Sequence, residues 1–322
     1  MKMSKRCLYC YQPLDDRDVD FHTECSRKFF GTAVPPQLEY NLDQMAELAS
    51  SVVQRHVAVP GVQRKISMSV VKDALQNGGK RRLTVMGMLG GNYILKPPNE
   101  TYPELPQNEH LTMMIAEAFG ISVVPSSLIR LASGELTYIT RRIDRTSTGE
   151  KIHILDMFQI VEAFDKYRSS MERVGKAIAA YTANTFLDLA NYFELTVFCF
   201  LTGNNDMHLK NFSLINTDNA SWGLSPAYDL LNVAIANPAD KEELALTVDA
   251  RKSKLNRAGF VRFGEGLGLS SRQINNTFDR LKRNKEKALD LISISFLSES
   301  NKQAYMRLLE ERYARIIDVD PL

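Results

Sequence analysis

Two polar side chains with the spacing Asp-x4-Asn follow a long apolar run in the second half of the chain. Asp206 and Asn211 lie in the stretch GNNDMHLKNFSLI, residues 203–215, directly after the run YFELTVFCFLT. An aspartate can accept a proton from a hydroxyl group, and an amide oxygen is a suitable ligand for Mg²⁺. The stretch therefore predicts either a site for metal-assisted proton transfer or, since both residue types are common in turns, a solvated loop.

The sequence after Asn211 is expected to bring a second carboxylate back to the same place. The segment FSLINTDNASWGLSPAYDLL reads as two strands joined at NTDN, which predicts a β-hairpin. A hairpin returns the chain to its starting end, so Asp229 is expected near Asn211. Together they would supply the two protein oxygens that a Mg²⁺–phosphate site needs, and protein kinases use the Asp-x4-Asn spacing in this way. Taken singly, Asp206 also suits a turn and Asp229 a cap.

The sequence ahead of this stretch offers partners for phosphate groups. Lys96 ends the predicted strand NYILK, and Glu109 opens the predicted helix QNEHLTMMIAEAFG. Kinases pair a strand lysine with a helix glutamate in this manner. The alternatives are an exposed lysine at a strand end and a first-turn glutamate favoured by the helix dipole. The turn VPGVQRK has a single glycine and is a weak phosphate loop by spacing alone.

Three of the four cysteines lie near the N-terminus, close to a histidine. They form the pattern Cys-x2-Cys-x11-His-x2-Cys, with Cys7, Cys10, His22 and Cys25 as its members. Two close pairs separated by about a dozen residues suit the tetrahedral ligand set of structural Zn²⁺. The pattern predicts a small zinc knuckle, with three reduced thiols and an unrelated histidine as the alternative. Cys199 lies alone in an apolar run and is predicted to be a buried thiol.

The sequence as a whole predicts an α+β protein with a β-rich N-terminal half and an α-helical C-terminal half. The alternation in KISMSVV and the Gly-rich turns of NGGKRRLTVMGMLGGNYILKPP indicate sheet. Long apolar-periodic segments from Ile154 onward indicate helices. We expect three parts: residues 1–31 as the Cys/His segment, 32–149 as the β-rich part and 150–322 as the helical part.

Composition indicates an ordinary globular protein. Of the 322 residues, 44% are apolar and 24% are charged, and the net charge of +2 creates no whole-protein field that would favour nucleic acid. No segment approaches the roughly 18 consecutive apolar residues of a membrane helix. The N-terminus MKMSKRCLYCYQ lacks the apolar core of a signal peptide. A cytoplasmic location without membrane contact is expected.

These motifs together resemble HipA-type serine/threonine kinases, the toxin components of bacterial toxin–antitoxin pairs. The stretches GNNDMHLKNFSLI and LSPAYDLL resemble the family signature, and further blocks follow in the family's order: VPGVQRK, NYILKPP, LPQNEHLTMMIA, RRIDR and IHILDMFQI. The resemblance runs from about residue 55 to the C-terminus. It implies a bilobal, protein-kinase-like fold, with the β-rich part as the N-terminal lobe and the helical part as the C-terminal lobe.

The resemblance implies catalytic and metal-binding roles for residues of the polar stretch. Asp206 would be the catalytic base, and Asn211 and Asp229 would hold Mg²⁺. His208 and Lys210 would contact the γ-phosphate or the substrate, with a purely architectural role for His208 as the alternative.

The resemblance also implies an ATP site in the β-rich part. Lys96, paired with Glu109, would contact the phosphates. The strand ITRRIDR, residues 139–145, would be the hinge that meets adenine. The segment 61–69 would form the phosphate loop. The remaining ATP-binding positions implied are Gly61, Val62, Gln63, Lys65, Arg141 and Ile143.

The chain departs from the family pattern in three places. Long HipA proteins carry an N-terminal subdomain that this chain is too short to hold, which suggests a shorter, HipT-like branch in which that piece is a separate small protein. The serines that family members autophosphorylate correspond to Ala58 and Pro60. Ser67 and Ser69 are then the nearest substitutes, or simply outward-facing strand residues. In the hinge, long HipA proteins have glutamate and phenylalanine at the positions of Arg141 and Ile143, so adenine binding would rest on backbone groups and on the apolar surface of Ile143.

The sequence therefore predicts an ATP- and Mg²⁺-dependent serine/threonine protein kinase preceded by a zinc knuckle. By resemblance, it would be a toxin that phosphorylates a translation-related protein such as an aminoacyl-tRNA synthetase, with an antitoxin as partner. One alternative is a small-molecule or lipid kinase on the same scaffold. Another is a nucleic-acid-binding module built from the zinc knuckle and basic residues such as Arg81, Arg82, Lys282, Arg283 and Lys285. The near-neutral net charge speaks against the latter, so no direct nucleic-acid contact is expected.

Overall fold

The computed structural model describes residues 5–16, 18–45, 47–48, 66–72, 81–85, 91–98, 100–146, 148–217 and 220–319. The protein is a mixed α and β structure that divides into two compact units. The first unit comprises Met1–His110, Val124–Glu150 and Ile294–Phe296, and the second comprises Leu111–Val123, Lys151–Ser293 and Leu297–Leu322.

The first unit contains a five-stranded antiparallel sheet with the strand order β2-β1-β3-β5-β4. Ile66 and Met68, two apolar residues of the alternating KISMSVV pattern, are fully buried. This burial confirms the strand predicted there and the face that it turns to the core. The strands are β1 (Ile66–Lys72), β2 (Arg81–Val85), β3 (Tyr93–Lys96), β4 (Ser126–Arg130) and β5 (Leu136–Arg141).

Two helices lie in the N-terminal half of the chain. Helix α1 (Thr23–Phe30) belongs to the Cys/His segment and ends at Gly31. Helix α2 (Leu105–Ala118) confirms the helix predicted from QNEHLTMMIAEAFG and begins ahead of the predicted start. Gly120 has a φ of 86° and donates its backbone N–H to the carbonyl of Glu117, as expected of a C-terminal glycine cap.

The second unit is mainly helical and contains a small antiparallel sheet of order β6-β7-β8. Its strands are β6 (His153–Asp156), β7 (Ser213–Asn216) and β8 (Gly223–Leu224). The helices that follow α2 along the chain are α3 (Met157–Ile160), α4 (Met171–Tyr181), α5 (Thr185–Leu201), α6 (Val233–Ala236), α7 (Arg257–Gly266), α8 (Ser271–Arg283), α9 (Lys285–Ile294) and α10 (Glu299–Ile316).

Helix α5 is the centre of the core in the second unit. From Tyr192 to Leu201 its residues are buried around the whole circumference, as expected of a helix that is apolar on all sides. The ring of Phe193 lies 5.9 Å from that of Phe263, and the ring of Phe200 lies 5.2 Å from that of Phe260. This core holds the C-terminal end of α5, from which the polar stretch begins.

The predicted hairpin after the polar stretch is present, whereas the predicted hinge strand was too long. β7 and β8 pair antiparallel, which confirms the strand–turn–strand reading. β5, however, ends at Arg141, so the strand assigned to residues 139–145 was wrong beyond that residue. The chain leaves the sheet there because Arg142 and Arg145 both donate to the carboxylate of Asp144. Burial would raise the pKa of Asp144, but the two guanidinium groups hold it below its usual value.

Several predicted positions lie outside the described residues or are described only as backbone. Gly61, Val62, Gln63 and Lys65 of the predicted phosphate loop lie outside the described ranges. The backbones of Ser67 and Ser69 lie in β1, opposite Ile94 and Thr84. Within the described part of the chain, no helix has the length and apolar composition needed to cross a bilayer.

The close approach of β1 to the chain two residues before β3 predicts a strict requirement for glycine at position 91. Gly91 has a φ of 88°, and a Cβ there would lie 2.5 Å from the backbone oxygen of Met68. Gly134 has a φ of 106° but no atom within 4 Å of its Cβ position. A substitution there therefore measures the cost of the backbone angle alone, without a steric contact. Gly134→Ala should cost about 1 kcal/mol of unfolding free energy. Gly91→Ala should cost about 1–3 kcal/mol more, since backbone must move. Urea unfolding measures both, and equal losses would contradict the contact.

Burial of His110 predicts a loss of stability in mild acid. The Tyr11 hydroxyl lies 3.0 Å from His110 Nδ1, and burial lowers the pKa of this histidine to about 3. Below pH 6.5 the unfolded chain takes up a proton that the folded chain refuses, so stability falls as the pH decreases, by up to about 1.4 kcal/mol per pH unit. Urea unfolding at pH 7, 6 and 5 should show that the free energy of unfolding declines less with falling pH in His110→Gln than in the wild type. His153→Gln, at an exposed position, is the matched control and should follow the wild type. An equal decline in the wild type, His110→Gln and His153→Gln would contradict the assignment.

Candidate functional site

The polar stretch begins with a left-handed turn at the end of α5. Gly203 has a φ of 70°, and its carbonyl accepts from the backbone N–H groups of Val233 and Ala234. A Cβ at this position would lie 2.8 Å from the side-chain oxygen of Asn232. Glycine is therefore required here both for the backbone angle and for the close approach of residues 232–234.

The two asparagines after the glycine are buried parts of the turn. Asn204 accepts the backbone N–H of Asp206 at 3.3 Å through its side-chain oxygen. Asn205 donates its side-chain amide to the carbonyl of Glu242 at 2.9 Å. These hydrogen bonds fix the backbone of the turn, and with it the direction in which the chain continues to Asp206.

Asp206 and Asn211 are brought together as the spacing predicts. The Asn211 side-chain amide donates to the backbone carbonyl of Asp206 at 2.9 Å, and the Asn211 backbone N–H donates to the carbonyl of His208. The hydroxyl of Tyr167 donates to Asp206 Oδ1 at 2.8 Å. These bonds orient the Asn211 amide so that its oxygen points away from the Asp206 carbonyl, and they fix one oxygen of the carboxylate.

His208 anchors the segment that carries Tyr167. Lys166 Nζ donates to His208 Nε2 at 2.8 Å, and the Tyr167 ring meets the imidazole edge to face at 5.1 Å between ring centres. Burial lowers the pKa of His208, and the charge of Lys166 acts in the same direction although Asp206 opposes it. A neutral imidazole can accept the bond from Lys166, so this geometry fits the architectural role that the sequence left open.

Asp229 follows the hairpin and has an unusual backbone conformation. Its φ is 56°, a left-handed angle that is costly for a residue with a Cβ and is often found at functional sites. Burial lowers the pKa of His208, and the charge of Asp229 acts in the opposite direction. The neighbouring Tyr228 donates its hydroxyl to the carbonyl of Lys210 at 3.1 Å. The predicted return of Asp229 to the neighbourhood of Asn211 stays a prediction.

Lys210 lies beside an aromatic ring of α3. Its ammonium is 4.7 Å from the centre of the Phe158 ring. Its charge also opposes the effect of burial on Asp156, whose pKa is nevertheless raised. Lys210 is thus held at one side of the polar stretch, and its backbone is fixed by Tyr228.

In the first unit, Lys96 and Glu109 form a buried ion pair. Lys96 Nζ contacts Glu109 Oε1, and both side chains are almost fully buried. The Lys96 ammonium also lies over the ring of Tyr138, 5.2 Å from its centre. The pairing predicted from the sequence is confirmed as a contact, and the alternative of an exposed lysine is wrong.

The side chain of Arg141 binds carbonyl groups at the end of α1. Its Nε donates to the carbonyl of Phe29 at 2.9 Å, and a terminal nitrogen donates to that of Lys28 at 3.1 Å. The guanidinium also lies over the Phe29 ring. Ile143, the other predicted hinge residue, lies in the turn after β5 and is half-buried. Any part that Arg141 plays in adenine binding therefore falls to its backbone.

The side chains of the second unit suit a magnesium–phosphate site. Asn211 offers an amide oxygen and Asp229 a carboxylate, and Mg²⁺ prefers such oxygen ligands together with phosphate oxygens. The donor set fits that ion better than it fits Zn²⁺, which favours nitrogen and sulfur. In the Cys/His segment, by contrast, Cys7, Cys10, His22 and Cys25 bring their ligand atoms within 4.8 Å of one another.

Sequence reasoning missed Lys166 and Tyr167, which hold the polar stretch through His208 and Asp206. Both lie in the segment DKYR, about forty residues before Asp206 and without a spacing that links them to it. The signal that could have been used is the polar character of DKYRSS between two apolar segments.

Known proteins resemble this chain in sequence. Residues 57–289 match the family model described as the HipA-like C-terminal domain. A Haemophilus influenzae protein named "Putative kinase" is 27% identical over 290 residues, covering 81% of this chain and 82% of the relative. The serine/threonine-protein kinase toxin HipA of Shewanella oneidensis is 24% identical over 294 residues, covering 81% of this chain and 65% of that protein.

A solved structure also resembles the chain. The HipA chain in a complex of Shewanella oneidensis HipA, HipB and operator DNA matches with a TM-score of 0.66 and 22% identity, covering 85% of this chain and 73% of that one. The fold is thus of the type found in a kinase toxin. The chain belongs to the HipA-like C-terminal domain family.

The buried ion pair predicts a large asymmetry between single and double substitutions. Lys96→Met leaves the Glu109 carboxylate buried without its lysine and should cost about 3–5 kcal/mol of unfolding free energy. Lys96→Met with Glu109→Leu should recover most of that loss, because an apolar pair leaves no buried charge. The control is Lys302→Met, which removes a pairing at 2.8 Å with the exposed Glu299. It should cost at most about 1 kcal/mol of unfolding free energy. Additive losses in the double variant would contradict the pairing.

Proposed function

We propose that this chain is a Mg²⁺-dependent kinase of the bilobal protein-kinase type, which transfers the γ-phosphoryl group of ATP to a serine or threonine hydroxyl of a protein. The observation that carries the proposal is the Asp206–Asn211 pair, with the asparagine amide anchored on the aspartate carbonyl and the carboxylate held by Tyr167. The family relationship supports kinase chemistry in general.

In the proposed reaction, Asp206 accepts the proton of the acceptor hydroxyl. Oδ2 is the acceptor, because Tyr167 already donates to Oδ1. The hydroxyl oxygen forms a bond to the γ-phosphorus, the bond from that phosphorus to the β–γ bridging oxygen breaks, and ADP leaves. Asn211 and Asp229 would hold Mg²⁺, which supplies charge neutralisation for the phosphate oxygens when it is bound.

In the proposal, residues of the first unit contact adenine and the phosphates that are not transferred. Lys96, oriented by Glu109, would contact the α- and β-phosphates. Adenine would meet the backbone around Arg141 and the apolar side chain of Ile143. Lys210 would contact the γ-phosphate or the acceptor, and His208 would keep Lys166 and Tyr167 in place. The phosphate loop would comprise residues 61–69, with Gly61, Val62, Gln63 and Lys65 as its contacts and Ser67 or Ser69 as autophosphorylation sites.

The proposed biological role is that of a toxin in a toxin–antitoxin pair. The support is the relationship to a kinase toxin and the fold shared with a HipA that assembles with HipB and operator DNA. For this chain we propose an antitoxin protein as partner, a separate small protein that resembles the N-terminal subdomain of long HipA proteins, and a cytoplasmic location. The proposed substrate is a translation-related protein such as an aminoacyl-tRNA synthetase.

The basic residues considered for nucleic-acid binding give that alternative little support. Lys282 and Lys285 each lie 3.5 Å from a carboxylate oxygen of Asp318. Part of their charge is therefore neutralised within the protein. Direct nucleic-acid binding is not included in the proposal.

The catalytic assignment predicts that Asp206→Asn retains the fold and loses phosphoryl transfer. The substitution keeps the shape of the side chain but removes the proton acceptor, so the rate should fall about 10²–10⁴-fold. The measurement is the transfer of labelled phosphate from γ-labelled ATP to proteins of a cell lysate. Asp290→Asn, at an exposed position of α9, is the control and should retain the wild-type rate.

The same experiment separates the alternatives. Labelled small molecules or lipids in place of protein bands would favour the small-molecule kinase. A wild-type rate in a folded Asp206→Asn variant would refute the assignment of the base. Mass spectrometry of the reaction mixtures reports whether Ser67 or Ser69 carries phosphate. Growth arrest by the wild type but not by Asp206→Asn would support the toxin role, and equal growth would count against it.

A further inference from the structure

The Cys/His cluster has no part in the proposed phosphoryl transfer, yet its geometry is that of a metal site. The distances from His22 Nδ1 are 3.4 Å to Cys10 Sγ and 3.6 Å to Cys25 Sγ. Zinc–sulfur bonds of about 2.3 Å and zinc–nitrogen bonds of about 2.0–2.1 Å at a tetrahedral angle place the two ligand atoms about 3.6 Å apart. The observed separations are therefore those of ligands that share one ion.

The histidine is oriented as a ligand by a second hydrogen bond. His22 Nε2 lies 2.9 Å from the carbonyl oxygen of Pro13. A carbonyl can only accept, so Nε2 carries the proton and Nδ1 presents its lone pair to the sulfur atoms. Metal-binding histidines are commonly fixed in this way by a carbonyl behind the ring.

The thiolate is the form of cysteine that binds metal. The four cysteines of the chain are free of disulfide bonds, so the three sulfurs of the cluster remain available as ligands.

Residues that lie between Cys7 and Cys25 form hydrogen bonds to β4, the outer strand of the sheet in the first unit. The carbonyl of Leu8 accepts the backbone N–H of Leu128 in β4, at 3.2 Å. Asp20 accepts from the guanidinium of Arg130, also in β4. An edge strand needs such cover, because its unpaired backbone groups otherwise bind other chains. The segment between Cys7 and Cys25 thus closes one side of the sheet.

We propose that Cys7, Cys10, Cys25 and the Nδ1 atom of His22 bind one structural Zn²⁺, which fastens the N-terminal segment across strand β4. With four protein ligands the site is closed, so the ion has no position for a substrate or an activated water. On binding, any thiol still protonated releases its proton, and no oxidation or reduction occurs. The ion adds to the small apolar cluster of Phe21, Phe29 and Phe30, because a segment of this length cannot build a large core by itself.

The proposal predicts one zinc ion per chain. The full chain, freed of any metal-binding tag and purified from zinc-supplemented cells, should contain one equivalent of zinc by elemental analysis. Cys10→Ser should contain less than about a tenth of an equivalent, because three ligands bind far more weakly than four. Cys199→Ala, which removes the cysteine outside the cluster, is the matched control and should keep the full equivalent.

Two measurements on the wild type remain decisive if Cys10→Ser fails to fold. X-ray absorption at the zinc edge should give three sulfur neighbours at about 2.3 Å and one nitrogen at about 2.0–2.1 Å. Removal of the metal by a strong chelator should lower the melting temperature, and added Zn²⁺ should restore it. Absence of stoichiometric zinc, iron in its place, a different ligand set or full zinc content in Cys10→Ser would overturn the proposal. None of these readouts depends on phosphoryl transfer.

Discussion

A lysine and a glutamate that are both removed from water can remain charged only if they stay together, and the first unit depends on this constraint. Lys96 ends β3 in the middle of the sheet, and Glu109 lies in the first turns of α2. Their contact fixes the distance between strand and helix, and the ammonium also lies over the ring of Tyr138 on the neighbouring strand β5. The cost of separating the two charges is much larger than the cost of a small error in apolar packing. The strand and the helix therefore keep one arrangement, as the proposed contact of Lys96 with phosphates requires.

The second unit uses a set of hydrogen bonds for a similar purpose. The carbonyl of Gly203, the amide of Asn211 and the hydroxyl of Tyr167 each fix a different part of the loop around Asp206. None of these bonds contributes more than about 3 kcal/mol, but together they leave the aspartate one orientation. The neutral imidazole of His208 extends the arrangement to Lys166. A loop built in this way holds a carboxylate in place while one of its oxygens stays available for chemistry.

Local patterns predicted the elements well, whereas contacts between distant segments were harder to foresee. The alternation in KISMSVV, the helix around Glu109 and the hairpin after Asn211 follow from periodicity and turn residues, and all three are present. The Lys96–Glu109 contact was predicted by analogy with kinases, not by spacing. Tyr167 was missed because nothing in the sequence states which of many polar side chains will meet Asp206. Strand β5 ended early because Asp144 binds two arginines, a competition that strand propensity does not describe.

The bonds from Arg141 to the end of α1 have a consequence for how such chains diverge. An arginine at this place is useful only while the carbonyls of Lys28 and Phe29 lie beside it. A descendant that loses the Cys/His segment loses those acceptors, and the guanidinium becomes a half-buried charge without its two carbonyl partners. Selection would then favour a different side chain at position 141, including one that contacts a nucleotide. The carbonyl groups at the end of α1 therefore limit which side chains position 141 can hold while the Cys/His segment is present.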